Sequence, residues 1–300
     1  MRKKIILLFT IILAMSIITA CSPSETVTKD REGNDVTLPT NISKIISTAP
    51  SNTEILLALG LGDKIIAADK YSKDVEGINT DITFIDFMNP DAEAILKLQP
   101  DIIIASGHNK SGTEDPFSLI KESGISVVYI PSSDSIQGIY DDISFIANIT
   151  GTSKKGQVII NEMKEEIAKY KEIGEKITEK KKVYFEISPA PNLFTFGKGT
   201  FLQELLEIVG ADNVFANEGT WIPIGGEAVL EANPEIILTN VNYIEQPIEE
   251  LKSREGWNAI TAVSQNQVFS IDTNSSSRPS HHVIKALKEI AHAVYPDLYE

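Results

Sequence analysis

The chain has 300 residues, 42% of them hydrophobic, which is enough apolar material for two modest cores. Its 42 acidic and 27 basic residues give a formal net charge of −15, a surface that repels nucleic acid and anionic lipid headgroups and argues against both as partners. Four histidines, two of them adjacent, form a poor ligand set for a zinc- or manganese-binding receptor.

In chain order, Arg2, Lys3 and Lys4 precede an apolar run from Ile5 to Ala20 that stops at Cys21, the only cysteine. Sixteen residues fall short of the about 20 a membrane-spanning helix needs. A basic start, a short apolar run and small residues before a cut site predict a secretory signal over 1–20. The tetrapeptide Ile18-Thr19-Ala20-Cys21 resembles the lipobox of bacterial lipoproteins, which implies a lipid-bearing Cys21 at the start of the mature chain. Loss of Arg2, Lys3 and Lys4 takes the charge from −15 to −18 and leaves three arginines, Arg31, Arg254 and Arg278. A large polyanionic ligand would find few guanidinium forks. Residues 21–41 are polar without helical period and read as a lipid-anchored flexible tether.

Residues 42–151 alternate strand and helix patterns, an N-terminal α/β lobe. KIIST (Lys44 to Thr48), DIIIAS (Asp101 to Ser106) and ISVVYIP (Ile125 to Pro131) are strand candidates. Between the first two, Ser51 or Asn52 is placed to cap a helix that Gly60 ends. Residues 152–181 predict one connecting helix: Ile160, Met163, Ile167, Tyr170, Ile173 and Ile177 step by three or four. Gly156 and Gly174 each cost such a helix about 1 kcal/mol relative to alanine. Residues 182–300 repeat the first plan, with strands at KVYFEIS (Lys182 to Ser188), EIILTN (Glu235 to Asn240) and QVFSID (Gln267 to Asp272). Alternation of this kind implies parallel sheets covered by helices.

One phrase occurs twice: EAILKLQPDIIIA from Glu93 and EAVLEANPEIILT from Glu227. A looser pair, EILLALGLGDKI and ELLEIVGADNV, sets Gly60 against Gly210. Both pairs occur in the same order, so the lobes are similarly built. The fold class is therefore α/β: two parallel-sheet, Rossmann-like lobes joined by one long helix.

A lipidated lead, two α/β lobes, one connecting helix and the stretches NPDAEAILKLQPDIIIAS, SPAPNLFTFGKGTFLQELLEIVGADNVFA and GWNAITAVSQNQVFSIDTNSSSRPSHHVIKALKEIAHAVYP together carry a resemblance. Over residues 42–297 the chain resembles the helical-backbone substrate-binding proteins of ABC importers, which capture ferric siderophores, haem and cobalamin. The resemblance implies a monomeric, extracytoplasmic receptor on the outer face of a bacterial cell membrane, a ligand cleft between the lobes that closes little, and no intrinsic cofactor. It implies an ABC permease dimer with its ATPase as partner. It also implies that Glu93 and Glu227, early in matching helices, pair with permease arginines, one per lobe. A carboxylate in a first helical turn is favoured by the helix dipole in any case.

In open α/β sheets, ligands sit beyond the carboxyl ends of the strands. The loops there offer Asn52, Tyr71, Phe87, Met88, His108, Lys198, Trp221, Tyr243, Arg278, His281 and His282 as ligand-binding candidates. Phe87 matches the position of an aromatic wall in cobalamin-binding relatives. Met88 matches the methionine ligand of haem-binding ones, whose histidine is absent here from NVNYIE; His281 or His282 could substitute. The scarcity of arginine favours a neutral or weakly charged iron chelate, haem or cobalamin over a highly anionic one. A chelatase-like enzyme is the alternative from another class. Yet the sequence offers no nucleophile elbow, phosphate loop or cysteine cluster.

Overall fold

Residues 26–110 and 115–299 are described in the structure, a computed structural model. The signal, Cys21 and the first residues of the expected tether lie outside them. From Thr26 onward the tether reading is corrected. β1 (Thr26–Lys29) and β2 (Asp35–Leu38) form an antiparallel hairpin, whose turn is held by Asp30 accepting the amides of Glu32 and Asn34 at 3.0 and 2.8 Å. The hairpin is docked on the N-terminal lobe. Arg31 Nε donates to Asp142 at 2.7 Å, and the Tyr129 amide donates to Asp30 at 3.1 Å. Partly buried carboxylates do this work where an apolar face would leave a period in the sequence.

The first lobe runs β3 (Ile45–Ser47), α1 (Pro50–Ala58), β4 (Ile65–Asp69), β5 (Thr83–Ile85), α2 (Ala92–Leu98), β6 (Ile102–Ser106), α3 (Ser118–Glu122), β7 (Ser126–Ile130) and α4 (Ile136–Ile149). Its strands pair in parallel in the order β5-β4-β3-β6-β7. All of β6 is buried, as a parallel strand covered on both faces must be. α1 starts at Pro50, whose fixed φ suits a first helical position; neither Ser51 nor Asn52 caps it.

The connecting helix α5 (Ser153–Gly174) has 22 residues, a length of about 33 Å at 1.5 Å per residue. It ends short of the predicted residue 181 because the backbone is met there by the second lobe. That lobe runs β8 (Lys182–Glu186), β9 (Phe194–Phe196), α6 (Phe201–Ile208), β10 (Asp212–Asn213), β11 (Trp221–Pro223), α7 (Gly226–Ala232), β12 (Ile236–Thr239), α8 (Pro247–Ser253), α9 (Thr261–Ser264), β13 (Val268–Ser270), α10 (Thr273–Ser277) and α11 (Val283–Val294). Its main sheet is parallel, in the order β10-β8-β12-β13, and β9 and β11 form a separate antiparallel pair.

Gly174, at the end of the connecting helix, has a purpose beyond its cost. A Cβ on Gly174 would lie 2.1 Å from the Ile208 carbonyl oxygen, and one on Gly210 would lie 2.7 Å from the Gly174 oxygen. Backbone therefore touches backbone where α5 meets the end of α6. Ile160 and Met163 of α5 join one continuous apolar cluster that includes Ile55 and Ile143 of the first lobe and Leu205 and Ile290 of the second. No helix among the described residues is long and apolar enough to cross a membrane.

The repeated phrase folds alike in both lobes. α2 leads to β6 and α7 to β12, and each helix stops on a left-handed residue, Gln99 at φ 51° or Asn233 at φ 45°. Pro100 and Pro234 follow and bar any continuation of the helix.

Candidate functional site

Each parallel sheet opens where neighbouring strands send their chains in opposite directions, and the crevice beyond the carboxyl ends at that point is where small molecules bind such folds. In the first lobe this lies between β3 and β6, in the second between β8 and β12. The first opening is closed by polar side chains. The Thr48 hydroxyl donates to Asn109 Oδ1, the Ser106 amide donates to Thr48 Oγ1 at 3.0 Å, and Asn109 Nδ2 reaches the Phe87 carbonyl at 3.5 Å. The turn after β5, which carries Met88, thus lies beside the turn after β6, which carries His108. At the second opening the Tyr243 hydroxyl stands 3.5 Å from Ser188 Oγ.

The sequence-predicted residues divide into three groups. Tyr71, Met88, Trp221 and Tyr243 are exposed at 62%, 53%, 41% and 66%, with His108 and Lys198 also exposed, all near carboxyl ends of strands. The Trp221 ring rests edge-on against Phe196 and Phe201, centroids 6.1 and 6.5 Å away, which fixes its plane. Phe87 and Asn52 form the second group and are corrections. Phe87 is 0% exposed and packs at 6.1 Å against Phe117 inside the first lobe, so it is no cleft wall. Asn52 is buried in α1, with its amide 3.5 Å from the Ala105 carbonyl. Both read as loop residues because the sequence does not show which side of a turn faces inward.

The third group is Arg278, His281 and His282. Arg278 is not available to a ligand as predicted. Its guanidinium crosses from the second lobe to the first, donating to Glu54 at 3.0 Å, to Asp74 at 2.8 and 3.1 Å and to the Tyr71 carbonyl at 3.4 Å. Ser280 donates to the other Glu54 oxygen, and Asn274 donates to Asp74 at 3.1 Å. Burial pushes the Asp74 carboxyl upward, but the Arg278 hydrogen bonds prevail and hold it below its ordinary value. Glu54, Asp74, Asn274 and Ser280 were not foreseen, because Glu54 and Arg278 lie 224 positions apart and share no motif. The His281 and His282 rings lie with centroids 4.1 Å apart and planes tilted by 36° beside this bridge. His281 Nδ1 is buried without a hydrogen-bond partner among the described residues, and burial, helped by His282, pushes its pKa down to about 4.

The other two arginines are equally committed. Arg31 holds Asp142, and Arg254 forks onto Glu186 at 2.5 and 3.0 Å while stacking over Trp257 at 4.5 Å. Burial pushes the Glu186 carboxyl upward and the Arg254 fork opposes it. This pair pins the end of α8 to the end of β8. Lys110 is paired with Glu32 above the Tyr129 ring, and Lys70 is paired with Asp86 at 2.6 Å. Lys198 makes no ion pair among the described residues. Those residues also hold no cluster of histidine, cysteine and carboxylate able to grip a metal ion directly. Glu93 and Glu227 are exposed in the first turns of α2 and α7, the two equivalent helices.

A sequence profile described as periplasmic binding protein matches residues 45–274. An ABC transporter substrate-binding lipoprotein of Bacillus subtilis, YvrC, is 32% identical over 276 residues, spanning 90% of this chain and 86% of its own. A vitamin B12-binding protein of Vibrio parahaemolyticus is 26% identical over 254 residues, spanning 83% and 88% of the two chains. A crystal structure of a possible iron-binding (periplasmic solute-binding) protein from Staphylococcus epidermidis superposes with a TM-score of 0.76 at 29% identity, covering 85% of this chain and all of that one.

Proposed function

Because the chain belongs to the periplasmic binding protein family, we propose that it is a lipid-anchored receptor that captures cobalamin and delivers it to an ABC importer. The observation that carries the ligand class is the lining of the strand ends: exposed Tyr71, Met88, Trp221 and Tyr243, with every described arginine already spent on a carboxylate. Aromatic faces without guanidinium forks suit a bulky, weakly charged chelate and disfavour polyanionic siderophores. The B12-binding relative supports the same choice. Haem is the second reading, favoured by one observation: Met88 and His108 stand exposed on adjacent turns, a thioether and an imidazole within one lobe.

The receptor acts by binding and release, as a monomer and without catalysis. Cys21 supplies the membrane anchor on the extracytoplasmic face. Glu93 and Glu227 each present a carboxylate to one half of a permease dimer, whose ATPase drives release. Paired helices with paired carboxylates support this assignment, since two equivalent sites on one chain match a two-fold partner.

Tryptophan fluorescence tests the ligand assignment. Trp221 is half exposed and reports on the cleft, whereas Trp257 is buried and serves as background. Saturable quenching by cobalamin at submicromolar concentration is expected, with haem and ferric hydroxamates weaker. Tighter binding of haem, accompanied by a Soret shift lost in Met88→Ala or His108→Ala, would move the assignment to the second reading.

A further inference from the structure

We propose that Arg278 is a positioning residue that fixes the separation of the two lobes. At the back of the molecule the lobes share an apolar cluster through α5, and Glu204 of α6 accepts the Ile136 amide at the start of α4 at 2.8 Å. On the cleft side the ties are those around Arg278. One planar guanidinium, carried between α10 and α11, takes three partners on the opposite lobe, Glu54, Asp74 and the Tyr71 carbonyl. Ser280 takes the second Glu54 oxygen and Asn274 shares an Asp74 oxygen with the guanidinium, so five side chains and the Tyr71 carbonyl interlock across the divide. Glu54 is buried and Arg278 mostly so, which makes the pair geometrically demanding.

Removing the guanidinium would leave Glu54 and Asp74 facing the second lobe with only the neutral donors Ser280 and Asn274, in a cavity of about 180 Å³ that Glu76 also lines and whose lysine, Lys285, is paired with Asp272 at 2.8 Å. Their repulsion and their need for water both favour a wider gap. The same guanidinium holds the Tyr71 turn by its carbonyl, so cleft width and the posture of one exposed aromatic are set together. A rotation of the lobes about α5 must break this interlock. The arginine therefore also sets the spacing between Glu93 and Glu227. Only that last consequence rests on the receptor reading; the separation itself is measurable without ligand or permease.

Spin labels at Lys97→Cys on α2 and Glu231→Cys on α7, both exposed, report the distance between the lobes in the mature chain carrying Cys21→Ser. Double electron–electron resonance should give one narrow distribution. Arg278→Met should shift it to longer distance and broaden it in a chain that still melts cooperatively. Arg278→Lys, a point charge without a fork, should restore the mean but not the width. A distribution unchanged by Arg278→Met overturns the proposal. If that variant does not fold, Asp74→Asn carries the test, because Asp74 is exposed and the Glu54 contact remains: broadening supports the positioning role and an unchanged distribution refutes it.

Discussion

Replacing Gly174 by alanine sets two effects of opposite sign against each other. Helix propensity alone favours alanine at this last residue of α5 by at most about 1 kcal/mol. Packing opposes it, because the new Cβ would stand 2.1 Å from the Ile208 oxygen, 2.9 Å from the Gly210 nitrogen and 3.0 Å from the Val209 carbonyl carbon. All three are backbone atoms, so no rotamer change relieves the clash. The end of α6 would have to retreat, and overpacking of this kind costs about 3 kcal/mol when the backbone must move. The net is a loss of about 2 kcal/mol, or roughly 4–8 °C in Tm for a chain of this size. Differential scanning calorimetry of the Cys21→Ser chain with and without Gly174→Ala measures it. A variant that melts at or above the parent temperature would show that propensity wins and that α5 and the second lobe are not in backbone contact.

Phe87→Ala should cost about 3–5 kcal/mol of stability in urea titrations, as a buried ring does, and should change ligand affinity only as far as the fold is lost; normal stability with lost binding would restore Phe87 to the cleft. His281 stays neutral in the folded chain down to about pH 4, against an ordinary 6.5, so its contribution is complete above pH 6.5 and drains away as pH falls toward 4. At pH 5 the loss amounts to about 2 kcal/mol, and His281→Asn should flatten that part of the Tm-versus-pH curve; an equally steep curve in the variant would assign the slope to other groups. Glu93→Arg with Glu227→Arg should abolish cellular uptake while leaving Kd for the ligand unchanged. Undiminished uptake would remove both carboxylates from the docking role.

Legibility followed the physics of each element. β6 and β12 were visible because strands buried on both faces must be apolar at nearly every position, and α5 because one face of a long helix must be. The repeat pointed to duplicated helix-turn-strand units and showed a proline in the middle of each, although a single sequence could not show that the residue before that proline, Gln99 or Asn233, is left-handed. β5 and β9, at three residues each, carry too few side chains for any period to emerge. The hairpin at Thr26 was missed because buried carboxylates hold it. At the site, Tyr71, Met88 and Tyr243 are exposed in loops that follow strands, and Trp221 is exposed at the start of β11. The expectation of exposure failed for Phe87, whose neighbour Met88 faces out while Phe87 faces in. It failed for Arg278 because its partners are contributed by the other lobe.

The docked hairpin has a consequence for how the receptor would move in its membrane. With a lipid on Cys21 and folded structure from Thr26, four residues would separate anchor from body, a leash of at most about 18 Å over the five Cα steps. The protein would patrol a layer hardly thicker than itself. Its encounters with a permease become a two-dimensional search at a high effective concentration, which lets a few exposed carboxylates suffice where a freely diffusing receptor would need a larger contact. Inserting a long glycine-serine segment after Ser22 would dilute that advantage, visible as uptake that now depends on the amount of permease expressed.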